Sequence, residues 1–203
     1  MRKKSLILIV FICLLSMSSC ITTKSTPKQD FIATVELDES FNKVAPMSYS
    51  DDLFDIDFQM NRYELAFRLK NKTNEPVYIN WDLSSLSING KSLRVIHNGI
   101  VLKDRDKPQA LTSVPPYSII EDALTPSENI YYYPGFYSGY YNISAGWIYK
   151  DFIKTTCNKK DNITEELILS QKGMKFSILL SFEYMGQKRH RIFNFTVTDI
   201  EKL

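Results

Sequence analysis

The chain has 203 residues, 44% hydrophobic and 24% charged, enough apolar side chain to close a core, which excludes wholesale disorder. Its formal charge is +2, but residues 1–19 carry Arg2, Lys3 and Lys4 and no acid, so without them 22 basic side chains stand against 23 acidic ones. That near-neutral balance excludes a broadly basic protein that coats nucleic acid.

The first predicted element is an export segment. Arg2, Lys3 and Lys4 precede the apolar run Leu6 to Leu15. Such a run suffices for a signal-peptide core and falls short of the ~20 residues that span a bilayer as a stable helix. Ser16-Met17-Ser18-Ser19 then leads directly into Cys20. This stretch resembles the lipobox of bacterial lipoproteins, in which an apolar residue and two small residues precede a Cys. Met17 fills the apolar slot, where Leu is the common choice. The resemblance covers residues 1–20 only. It implies cleavage before Cys20, a diacylglyceryl group on the Cys20 thiol and acylation of the new α-amine. Two or three chains, at about 0.8 kcal/mol per buried CH₂, satisfy the requirement for stable anchoring. The alternative is an ordinary cleaved signal peptide with Cys20 left incidental. The lipoprotein resemblance places the protein in the bacterial cell envelope. Ile21, standing where family knowledge links Asp to inner-membrane retention, favours the outer membrane if the cell is Gram-negative.

On this reading Cys13 leaves with residues 1–19, Cys20 takes lipid, and Cys157 remains alone, so no internal disulfide is expected. Four Asn-x-Ser/Thr triplets begin at Asn71, Asn142, Asn162 and Asn194. They would be glycan acceptors in a eukaryotic secretory pathway, and the lipobox argues against that setting. Residues 21–30 are polar and aperiodic and read as a tether, with a single domain over 31–203.

Within that domain the dominant pattern is alternation. Phe31, Ala33, Val35 and Leu37 share one strand face. Phe54, Ile56 and Phe58 alternate with Asp55, Asp57 and Gln59, and Tyr63, Leu65, Phe67 and Leu69 alternate with Glu64, Ala66, Arg68 and Lys70. A period of two suits an antiparallel sheet with one dry face. Val77–Trp81 reads as a strand, and Asn89-Gly90 between Leu86–Ile88 and Ser92–Ile96 is the strongest hairpin signal, since both residues tolerate positive φ. A second Asn98-Gly99 precedes the strand-like Ile100–Leu102. Met174–Tyr184 and Arg189–Ile200 are two long strands joined through Met185–Lys188. The expected fold is mostly β, an antiparallel two-sheet sandwich of immunoglobulin-like type. One segment differs: Ala145, Ile148, Tyr149, Phe152 and Ile153 follow helical spacing behind Ser144 as N-cap, so residues 140–170 read as an insertion with one or two short helices.

Chemical motifs are sparse. His97 and His190 are the two histidines, and no zinc spacing occurs. Asp51, Asp52, Asp55 and Asp57 lack the order of an EF-hand loop and read as the wet face of a strand. Hydrolase elbows, Ser-x-x-Lys and phosphate-binding glycine loops are missing. No cofactor, metal or nucleic-acid partner is expected. The unusual feature is residues 131–149, with nine aromatics and seven of the chain's twelve tyrosines. Tyrosine offers a flat apolar face and a hydroxyl at low entropic cost. Tyr132, Tyr137, Tyr141 and Trp147 are therefore the candidate binding surface, and packing of these rings onto the body is the competing explanation. The expected function is a lipid-anchored, non-catalytic binding or structural module contacting an envelope protein or glycan. The alternative is an envelope hydrolase whose site gathers scattered residues, with His97 or His190 beside carboxylates.

Overall fold

The computed structural model describes residues 30–38, 47–138 and 141–203, with only the backbone of Tyr141 and Asn142. The export segment, Cys20 and the tether up to residue 29 lie outside the described residues. Fourteen strands and one short α-helix are described. The strands are β1 (Phe31–Leu37), β2 (Ser48–Ser50), β3 (Phe54–Met60), β4 (Leu65–Asn71), β5 (Val77–Ile88), β6 (Lys91–His97), β7 (Thr112–Val114), β8 (Ile119–Pro126), β9 (Ile130–Tyr133), β10 (Phe136–Ser138), β11 (Tyr141–Ile143), β12 (Gly146–Tyr149), β13 (Lys175–Tyr184) and β14 (Gln187–Lys202). The helix α1 covers Glu165–Leu169. The fold is mostly β, and every strand pairing is antiparallel.

Alternation in the sequence becomes burial in the structure. In β3, Phe54, Ile56 and Phe58 are buried, and in β4 Leu65, Phe67 and Leu69 are. The predicted Asn89-Gly90 turn (φ 50° and 78°) closes a two-residue hairpin, and the connection expected over Met185–Lys188 is shortened to Met185-Gly186 (φ 50° and 73°), with Gln187 and Lys188 already in β14. Positive φ at both central residues matches the right-handed twist of the strands they join.

The main sheet differs from two separate layers. The sheet has ten strands: nine lie on one hydrogen-bonded path, β1-β14-β13-β5-β6-β8-β4-β3-β2, and β7 pairs with β5 off that path. The sheet curls toward closure like a barrel, with β1 and β2 at the ends of the path. β6 turns the corner: Lys91–Arg94 pair with β5, and Val95–His97 pair with β8. Val95 and Ile96 are both buried there, which a straight period-two strand with one wet face would not allow. The two halves then face each other across one aromatic core. Phe58 meets Phe193 at 5.0 Å and Phe195 at 5.1 Å, and Phe54 meets Phe182 at 4.7 Å.

Three expectations are corrected. The helix-like spacing at 145–153 yields the strand β12, because Ile130–Tyr133 supplies a paired neighbour of high β propensity. The helical part of the insertion is confined to α1, where Thr164 Oγ1 accepts from Leu167 N and Ile168 is fully buried. Ile100–Leu102 enters a loop and a 3₁₀ turn at Leu102–Asp104 rather than a strand. Val77–Ile88, expected as two strands, is one strand with a bulge. Ser84 Oγ donates to Asn80 O at 2.7 Å and accepts from Ser181 N at 3.1 Å, so a side chain satisfies groups that the displaced ladder cannot.

Asp55 fastens the β2 edge: Ser50 Oγ donates to it at 2.6 Å and Lys72 lies 3.2 Å away. The Ser50 hydrogen bond outweighs partial desolvation and, with Lys72, holds its carboxyl below the ordinary range. A depressed folded value gives stability present above the unfolded value, about pH 4, and lost as pH falls through the folded one. Asp55→Asn is expected to lose less stability on acidification than the parent, read from urea midpoints on either side of that window. Equal losses would show that this carboxylate does not contribute.

Candidate functional site: an aromatic arm and the clefts at its root

The tyrosine-rich segment leaves the body as a hairpin arm. β9 pairs with β12 from Ile130↔Tyr149 to Tyr133↔Gly146, and β10 pairs with β11 from Phe136↔Ile143 to Ser138↔Tyr141. The register offset is the same in both, so Pro134-Gly135 and Ser144-Ala145 interrupt one hairpin without slipping it. At Gly135 (φ +80°) an added Cβ would lie 2.8 Å from both Ala145 N and Ile143 O. The backbones are pinched there, and the conformation itself disfavours any side chain. Gly135→Ala is expected to raise protease cleavage within 130–149 several-fold while the global melting temperature stays within about 2 °C, because the core lies elsewhere. A large global loss with no arm-specific cleavage would contradict this.

Side chains alternate across the arm. On one face Tyr132 and Trp147 meet edge to face at 5.3 Å, and the Arg105 guanidinium lies 5.3 Å from the indole centroid. On the other, Tyr131 stands opposite Ile148, with the Lys150 ammonium 5.2 Å from the Tyr131 ring. The root is fastened by Lys150 N donating to Asn129 O, Phe152 N donating to Arg62 O and a two-pronged Arg62–Asp151 ion pair at 2.8 and 3.1 Å. The Asp151 hydrogen bond raises the Arg62 guanidinium above its ordinary value.

The four candidate binding residues do not form one cluster. Tyr132 (53% exposed) and Trp147 (half-buried) are brought together, whereas Tyr137, 77% exposed, lies beyond the pinch. The Tyr141 side chain falls outside the described residues. Phe136 and Ile143, paired across the strands and each more than half exposed, are additional apolar groups that sequence reasoning did not single out.

Two clefts flank the root. The first, about 570 Å³, is lined by Ile130, Tyr149, Tyr63, Leu102, His97 and Asn98. Ile130 and Tyr149 share a strand face with Tyr132 and Trp147, so that aromatic face runs into this cleft. The second, about 690 Å³, lies between Tyr131, Ile148 and the 154–163 segment.

His97 does gather a carboxylate. Its Nδ1 is 3.1 Å from Asp122 Oδ2, a partner that sequence spacing gave no means of finding. The ring is stacked on Trp81 at 4.5 Å and 7°, and Nε2 is buried with no hydrogen-bond partner among the described residues. A general base needs its second nitrogen within reach of a proton donor. This pair ties β6 to β8 and lies on the core indole. His190 is exposed on β14, and its basic neighbours are engaged separately: Arg191 on Asp51 at 2.7 Å and Arg189 over Tyr184. The acidic cluster is likewise divided. Asp51 accepts from Leu53 N and Phe54 N, Asp55 from Ser50, and Asp57 from Ser48. Cys157 is a free, half-buried thiol on the second cleft. Asn71, the first Asn-x-Thr triplet, is fully buried with its amide in hydrogen bonds, a poor glycan acceptor.

No family model, no curated protein and no solved structure matches this chain.

Proposed function

We propose that the chain is a lipid-anchored protein of the bacterial envelope, acylated on Cys20. It serves as a non-catalytic binding or structural module that contacts an envelope protein or glycan. The observation that carries this reading is the continuous face formed by Tyr132 and Trp147 with Ile130 and Tyr149, which leads into the 570 Å³ cleft. Flat rings beside a concave, partly polar site suit sugar stacking or a protein hot spot. In this reading the two facing halves of the sheet act as the layers of an immunoglobulin-like sandwich joined at the β6 corner, and the arm extends from one end. Placement in the outer membrane of a Gram-negative cell belongs to the same proposal and rests on Ile21.

The test is capture of partners from envelope extract, and binding to a glycan array, with the full detergent-extracted protein. Tyr132→Ala combined with Trp147→Ala is expected to weaken the captured interaction about ten-fold or more. Unchanged binding of every partner and glycan would sink the assignment of this face. Cys20→Ala is expected to lose both the acyl mass and the membrane attachment.

A further inference from the structure

We propose that the opposite side of the arm's root is a membrane-docking surface. Tyr131 and Ile148 would enter the bilayer interface, with Lys150, Lys154, Lys159 and Lys160 lying on anionic phospholipid headgroups. This goes beyond the partner face described above and rests on acylation of Cys20.

Three independent observations meet at this surface. The first is charge. Lys150, Lys154 and Lys159 line the 690 Å³ cleft and Lys160 adjoins it, yet none of the four has a carboxylate at ion-pair distance among the described residues. Of the acids lining the cleft, Asp151 is paired with Arg62, and Asp161, which accepts from the neutral Asn158 Nδ2 at 2.5 Å, keeps its charge, so Lys150, Lys154 and Lys159 outnumber one uncompensated carboxylate. The second is composition. Residues 130–149 contain no Asp, Glu, Lys, Arg or His. Tyr131 (39%) and Ile148 (38%) are exposed on this face. An uncharged aromatic hairpin bordered by lysines matches the two zones of a membrane surface, where amphipathic rings sit at headgroup level and basic side chains meet anionic lipid.

The third is where the anchor leaves the body. Asp30 bridges to Thr156, whose Oγ1 donates to Asp30 Oδ1 at 3.0 Å, and Phe31 N donates to Thr155 O. Thr156 itself lines the lysine cleft. Cys20 is therefore no more than about 36 Å of extended chain from this surface, whatever path residues 21–29 take. An acyl group inserted at that distance holds the cleft near the bilayer at high effective concentration. The far end of the fold is given by Met185, at the opposite end of β14 from the residues that pair with β1.

The test uses the acylated protein reconstituted into phosphatidylcholine vesicles with and without phosphatidylglycerol. A Cys157→Ser background carries an environment-sensitive fluorophore through Ile148→Cys or, as control, Met185→Cys (72% exposed). Mass spectrometry of the same sample establishes the acyl group. The expected result is blue-shifted emission at position 148, quenched by lipid-borne quencher at least about three-fold more than at 185, and only with phosphatidylglycerol present. The triple change K154E/K159E/K160E, with an unchanged melting temperature, is expected to lower the ratio of docked to undocked protein by at least about five-fold per lysine. Acylated protein with equal quenching at 148 and 185 would overturn docking and leave the anchor standing. Equal quenching at 148 with and without phosphatidylglycerol would overturn the role of the lysines. Absence of acyl mass on Cys20 would overturn the anchor, and this proposal with it.

Discussion

Trp81→Ala is expected to destabilise the protein by about 3–5 kcal/mol, the range for truncating a buried aromatic. Trp81 is wholly inaccessible, sits within the β5 bulge and contacts three elements of the sheet. Its Nε1 donates to Thr112 Oγ1 of β7 at 2.8 Å, its ring stacks on His97 of β6, and its edge approaches Phe67 of β4 at 6.3 Å. Removing the indole therefore opens a cavity where the two halves of the sheet join, and it leaves His97 without the surface it lies on. Trp81→Phe retains a ring and loses the Thr112 bond, so about 1–2 kcal/mol is expected. Urea melts followed by circular dichroism measure both. With two tryptophans in the chain, the Ala variant also reports Trp147 alone, whose half-buried indole should emit at longer wavelength. A loss below about 1 kcal/mol for Trp81→Ala would mean the corner is held by other contacts.

Asn71→Ala is expected to cost about 2–4 kcal/mol, because it strands partners as well as removing bonds. The Asn71 amide nitrogen donates to Glu75 O (2.8 Å), Val114 O (3.0 Å) and Pro115 O (3.1 Å), while its Oδ1 accepts from Thr73 N and Thr73 Oγ1 at 2.9 Å. One buried side chain thus joins the end of β4, the turn after it and the end of β7. Asn71→Asp keeps the shape and sets a carboxylate against three carbonyl oxygens. Burial among acceptors raises the folded value of that carboxyl, so its destabilisation grows as pH rises above about 4, where the unfolded chain ionises. Asn71→Asp should accordingly be less stable than Asn71→Ala at neutral pH and approach it in mild acid. Equal stability of the two across pH would show that the amide protons are not the critical element.

The strands were largely legible because each depends on local alternation. Phe54, Ile56 and Phe58 identify β3 without knowledge of its neighbours, and Asn89-Gly90 encodes its own turn. Failures occurred where a partner outranked local preference. Ile148 and Tyr149 satisfy helical spacing, and they became strand because Ile130 and Tyr131 stand opposite them. Of the candidate site, the aromatic richness was visible, whereas its division into two faces, a pinch at Gly135 and two clefts was not. Asp122 is not legible in the sequence as a partner of His97, because the tie spans 25 positions and the β6–β8 pairing brings them together.

Composition determined that the chain closes a core, and alternation determined that the core is β, since side-chain period is a property of the local backbone. The charge balance likewise belongs to the sequence. Tertiary structure decided that the layers are one sheet folded at β6, because pairing order depends on contacts far apart in the chain. It also decided that the tyrosines form an arm, and that the lysines of the second cleft share it with Thr156, the bridge partner of Asp30.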